Sequence, residues 1–228
     1  MVFGLLLVCA SESAAAPGAS QRAAEQLPAA DGLYERWDPR RSWGTPHLIN
    51  ALEEVSQRVA FELPGADPLM IGDISRQGGG WLRGHITHTK GVDVDVGMFM
   101  HDARQPLGGF LDLRPSQLDV HANWVLVTSL LDTDSVQYML LDQGHINALT
   151  RYAREEVGLD QDEIDTIFPP NPTHRHWRQA GVVRHAPNHL SHLHVRFKPP
   201  EVYDPVQEAK VPSTSPRSAV LGQRPQQH

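Results

Sequence analysis

The residues best suited to chemistry lie in two stretches. One, near the C-terminal end, reads His185-Ala-Pro-Asn-His189-Leu-Ser-His192-Leu-His194-Val-Arg196-Phe197, with four histidines inside ten residues. His192 and His194 open a β-prone run, and a strand turns residues two apart to the same face. Two imidazoles side by side suit a metal ion or a proton relay. The other stretch is Gly84-His85-Ile-Thr87-His88-Thr-Lys90-Gly91-Val92-Asp93-Val94-Asp95-Val96-Gly97. Its valines alternate with Asp93, Asp95 and Gly97, which predicts a strand with a valine face in the core and a carboxylate face outward. The bland alternative is a pair of polar loops with incidental histidines and solvated aspartates. Two such clusters in one chain favour a shared site.

Cys9 is the only cysteine, which excludes an internal disulfide and a cysteine-based zinc finger, so any zinc must rest on histidine and carboxylate. Catalytic zinc takes three nitrogen or oxygen ligands and leaves a position open, whereas structural sites close with four, usually including cysteines. The catalytic type is therefore expected, with one ion. No His-Glu-x-x-His helix motif is present, and Pro187 breaks the helix that would bring His185 and His189 to one face. The site must be built on strands and loops. Spacing alone does not choose among His85, His88, Asp93, Asp95, His189, His192 and His194 as ligands.

The elements that must position these groups predict an α+β domain: a small antiparallel sheet carrying the zinc site, flanked by helices and long loops. Apolar residues at helical spacing predict helices over Pro46 to Phe61, Ser116 to Leu131 and Asn147 to Val157. Strands are expected at Leu69 to Ile74, Val92 to Val96 and Val136 to Leu141, besides the run from His192. Gly78-Gly79-Gly80 must be a loop. Residues 1–33 read as a leader, 34–198 as the zinc domain and 199–228 as a disordered tail. His121 and His145 are scattered and read as structural. A Pro-broken loop carries Arg175, Trp177 and Arg178, which with Arg184 have the chemistry to meet an anionic peptide.

The composition excludes some classes. A formal net charge of −7 supplies no basic stripe for nucleic acid. No run approaches the roughly 20 apolar residues of a membrane span. Val2 to Cys9 is apolar and followed by small residues, as in a secretory signal, although no Lys or Arg precedes Arg22. Export is the expectation, with a lipid anchor at Cys9 a weaker one because Val8 stands where a small residue is wanted.

Gly84-His85-x-Thr87-His88-x-x-Gly91-x-Asp93-x-Asp95 together with His189-x-x-His192-x-His194-x-Arg196 resembles the penicillin-insensitive murein endopeptidases. These fall within the wider group of lysostaphin, D-Ala-D-Ala metallopeptidases and hedgehog domains. The resemblance runs from about Leu48 to Lys198. It implies zinc ligands His88, Asp95 and His194, a proton-carrying His192, and His85 and His189 lining the site. Asp93 is expected to fix a ligand imidazole from behind. The implied activity is periplasmic cleavage of murein peptide cross-links, between D-alanine and diaminopimelate. Two rivals stay open: a D-Ala-D-Ala dipeptidase or carboxypeptidase of the same group, and a non-catalytic zinc-stabilised murein-binding module. Thr87 stands where the family usually has serine, and the cysteines of some members are missing. Oligomeric state is not indicated.

Overall fold

A computed structural model describes residues 24–169 and 182–199. The loop with Arg175, Trp177 and Arg178, the export-like N-terminus and the tail expected beyond residue 199 lie outside the described residues.

The chain enters through two short strands, β1 (Glu25–Gln26) and β2 (Tyr34–Arg36), then β3 (Trp43–Gly44). β1 pairs with β3, and Leu27 is fully buried, so the folded unit takes in residues that the sequence had suggested were leader. Helix α1 (Pro46–Glu62) follows, with Pro46 in its first turn and Thr45 accepting a hydrogen bond from the Leu48 amide. Then come β4 (Leu69–Ile71), β5 (Asp93–Gly97), α2 (Val120–Asp132) and β6 (Val136–Leu141). Helix α2 starts four residues later than its apolar pattern, because Asp119 caps it and Pro115–Gln117 form a separate 3-10 turn.

The third predicted helix is α3 (Gln143–Tyr152), running on as a π-helical turn at Ala153–Val157. A further helix, α4 (Gln161–Ile167), was not foreseen. Its capping box was nonetheless in the sequence: the Asp160 and Glu163 side chains each accept from the other's backbone amide. Strands β7 (Val183–His185) and β8 (His192–Phe197) complete the fold.

The main sheet has six strands in the order β2-β4-β5-β8-β6-β7. It is larger than the small antiparallel sheet expected, and it is mixed. Its centre is antiparallel, but both edge pairs, β2 with β4 and β6 with β7, are parallel. The reason is the connections: α1 carries the chain from β2 back to β4, and α3 and α4 carry it from β6 back to β7, and crossovers of that kind give parallel neighbours.

The pleat separates two faces. Val94, Val96, Leu193, Val195 and Phe197 join Leu52, Val55 and Val59 of α1 and Leu126, Val127 and Leu130 of α2 in one core. Each such side chain contributes about 1.5–3 kcal/mol by leaving water. The other face of β5 and β8 carries Asp93, Asp95, His192, His194 and Arg196. It is not outward in the sense of wet: Asp93 and Asp95 are buried, and His85 and His88 of the loop between β4 and β5 lie against Asp95.

Candidate metal centre

Register puts the two stretches together. Asp95 pairs directly across from His194, Asp93 from Arg196 and Gly97 from His192. The remaining histidines arrive on the loop 79–89, which is closed by the Gly80 amide donating to the Thr89 carbonyl at 2.8 Å. Gly79, at φ +71°, has room for no side chain, since a Cβ would lie 2.7 Å from the Thr89 oxygen.

His88 is fully buried, and its Nδ1 lies 3.0 Å from the Ile74 carbonyl. A carbonyl only accepts, so Nδ1 carries the proton and Nε2 presents a lone pair. His194 is fixed in the opposite sense: Nε2 lies 3.2 Å from Asp93 Oδ1 and donates, leaving Nδ1 with the lone pair. These lone pairs and Asp95 Oδ1 form a triangle of 3.2 Å (His88 to His194), 3.0 Å (His194 to Asp95) and 3.2 Å (His88 to Asp95). Three acceptors therefore face one another at contact distance, an arrangement that calls for a cation. Ligand atoms around tetrahedral zinc, at ~2.0–2.1 Å from the ion, stand roughly 3.3 Å apart.

His85 belongs to the same cluster. Its Nε2 donates to Asp73 Oδ2 at 2.8 Å, turning Nδ1 toward Asp95 Oδ2 at 3.5 Å. His85, His88 and Asp95 offer ligand atoms all within 4.8 Å of one another, and such a group can hold a metal ion. His85, expected to line the site, is thus among the groups able to touch the ion. Asp73 is buried and also forms an ion pair with Arg41 at 2.8 Å. It was missed, though a lone acid inside the apolar run Leu-Met-Ile-Gly-Asp-Ile was a legible signal.

The electrostatics follow from burial and partners. Burial alone would raise the Asp95 carboxyl, but the His194 and His88 rings beside it outweigh that and hold it well below the usual carboxylate range. For His194, burial works against the charged ring, and Asp93 and Asp95 reverse it, lifting the pKa to about 9. A proton is what this ring takes when no other cation is present. Asp93 also accepts from Arg196 at 3.1 and 3.2 Å, so its buried charge is balanced.

His192 stands apart from this network. Its Nε2 is 3.6 Å from Asp95 Oδ1, too long for a hydrogen bond, and its Nδ1 meets Ser191 Oγ at 2.9 Å. Burial pushes its pKa down to about 4, against the pull of Asp95, so the ring is neutral at pH 7. His189 lies beside it, ring centroids 5.2 Å apart, and is lowered chiefly by burial. His185 ends β7 exposed and takes no part. Arg184 stacks over Tyr138 at 5.1 Å, and Tyr138 over His194 at 6.5 Å, which puts that cation on the site face of the sheet. Of the scattered histidines, His121 meets the Tyr152 hydroxyl at 2.7 Å and His145 is buried in α3.

Residues 15–216 match the family described as penicillin-insensitive murein endopeptidase. The enzyme of that name from Yersinia enterocolitica is 28% identical over 175 residues, covering 76% of this chain and 60% of its own length. That from Klebsiella pneumoniae is 29% identical over 191 residues, covering 78% and 62%. A shorter match, 35% identical over 80 residues, covers 34% of this chain and 27% of the enzyme from Haemophilus influenzae. The chain thus spans about three-fifths of the first two relatives. With both histidine stretches and the sheet that joins them inside the matched residues, the chain belongs to the penicillin-insensitive murein endopeptidase family.

Proposed function

We propose that the protein is a zinc-dependent endopeptidase that hydrolyses the D-alanyl to diaminopimelate cross-links of murein in the periplasm. The observation that carries this reading is the triangle of His88 Nε2, Asp95 Oδ1 and His194 Nδ1, three acceptors with no proton required between them by any other partner. Two nitrogens, one oxygen and no sulfur suit a catalytic rather than a closed zinc site. His88, Asp95 and His194 hold the ion, with His85 beside them. Zinc supplies Lewis acidity, bringing water toward a pKa of about 7 and polarising the scissile carbonyl.

The chain's own groups do the rest. His192, neutral at pH 7, accepts the proton of the attacking water at Nε2. Ser191 Oγ, 2.9 Å from Nδ1, can accept a proton carried there, in the tautomer that leaves Nε2 free. The same ring returns the proton to the amine nitrogen as the C–N bond breaks. Asp93 keeps the proton of His194 on Nε2, away from the ion. Among the described residues no helix is long and apolar enough to cross a membrane.

Metal-stripped protein reloaded with zinc should release monomers from cross-linked muropeptides. Absence of release overturns the proposal, and release of D-alanine alone from free ends points to a carboxypeptidase instead. His192→Ala should keep its zinc and lose about 10²–10⁴-fold in kcat.

A further inference from the structure

The segment between β5 and α2 grips Leu190 and Ser191, which lead into β8, and His192, its first residue. The Leu113 amide donates to the Leu190 carbonyl at 3.0 Å. The Gln105 side chain, buried, donates to the Ser191 carbonyl at 3.3 Å and to Met98 at 3.4 Å, while its oxygen accepts from the Leu111 amide at 2.9 Å. Phe110 stacks on His192, with centroids 5.3 Å apart and planes 23° from parallel.

Phe110 is itself held from behind. It stacks on Trp37 at 4.4 Å and lies against the backbone of Gly72 and Gly97, where an added Cβ would come within 2.8 and 3.0 Å of the ring. Gly97 is the cross-strand partner of His192, so its missing side chain is what lets the phenyl ring reach the imidazole. Meanwhile His192 Nε2 has only a 3.6 Å approach to Asp95, and one nitrogen, Nδ1, is hydrogen-bonded. The orientation of the ring therefore depends on packing.

We infer that Phe110, with Gln105 holding its loop, is a positioning residue for His192, fixing the plane of the imidazole so that Nε2 faces the metal centre. The inference rests on the reading of His192 as the proton carrier. A proton acceptor must sit within hydrogen-bond reach of its donor, and a displacement of about 1 Å can cost on the order of a hundredfold.

The test uses the full chain loaded with zinc. Phe110→Leu should lower kcat by about 10–100-fold while KM stays within about threefold and zinc content is unchanged. Carbethoxylation of His192 by diethyl pyrocarbonate, read by peptide mass spectrometry, should become severalfold faster as the ring is uncovered. If Phe110→Leu does not fold, Gln105→Met, nearly equal in volume but without the hydrogen bonds, carries the same expectations for kcat and labelling. Wild-type kcat, unchanged labelling or loss of zinc overturns the positioning role. His192→Ala is run alongside: if it turns over normally, the proton-carrier reading fails. If it is inactive while Phe110→Leu is unimpaired, only the positioning role fails.

Discussion

The two faces of β5 and β8 are built from adjacent residues of the same strands and obey different rules. On one, Val94, Val96, Leu193, Val195 and Phe197 are interchangeable in kind, and what matters is volume. On the other, Asp93, Asp95, His192, His194 and Arg196 are individually fixed by partners, down to which ring nitrogen carries a proton. Both faces are largely buried. The difference is that the apolar face gains stability from burial, whereas the polar face incurs a desolvation cost that its ion pairs offset.

Substitutions on opposite faces of neighbouring positions should separate these roles. Asp95→Asn removes the carboxylate from the triangle, and zinc content should fall to background, with kcat/KM reduced more than about a thousandfold, since the ion supplies several kcal/mol. Leu193→Ala, on the neighbouring strand and the opposite face, should cost about 2–5 kcal/mol in stability by denaturant unfolding. Its folded fraction should keep full zinc and near-normal kcat. If Leu193→Ala strips the metal, the faces are coupled and the comparison breaks. Next in size is Asp93→Asn, which weakens the acceptor behind His194. It should lower zinc affinity by about 10–100-fold in competition with a chelator, leaving kcat of the saturated enzyme nearly unchanged.

The polar face was legible because period-two alternation and the His-x-His spacing survive in one dimension. Val92 to Gly97 predicted both a strand and its division into faces. What could not be read was its covering: whether Asp95 is wet depends on a loop that folds back to place His85 and His88 against it. Phe110 and Gln105 were invisible for a related reason. Gln105, Phe110 and Leu113 lie in an irregular connection whose contacts are to β4, β5 and the turn before β8, so no periodicity marks them. Asp73 and the capping box of α4 carried signals that were passed over. The parallel edge pairs were not readable from strand patterns, because they depend on where crossover helices return the chain.

His145 tests the same comparison from the apolar side, and its effect should be the smallest. It is fully buried in α3 beside Ile146 and Leu149, and neither ring nitrogen makes a well-formed hydrogen bond. His194, equally enclosed, is raised by two carboxylates. His145 is lowered, chiefly by burial, with Asp142 and the Leu113 backbone opposing. A lowered folded pKa means that, below the ordinary histidine value of 6.5, the unfolded chain binds the proton and the folded one resists it. Stability should therefore rise with pH up to about that value, and be lost on acidification at no more than ~1.4 kcal/mol per pH unit, levelling off below the folded pKa. The contribution of this one residue is the difference between wild type and His145→Leu, measured by denaturant unfolding of the zinc-loaded protein across that range. The variant should lose part of the acid slope and match or exceed the wild type at low pH. An unchanged slope would mean that the buried ring finds an acceptor as the pH falls, and the contrast with His194 would then be one of degree.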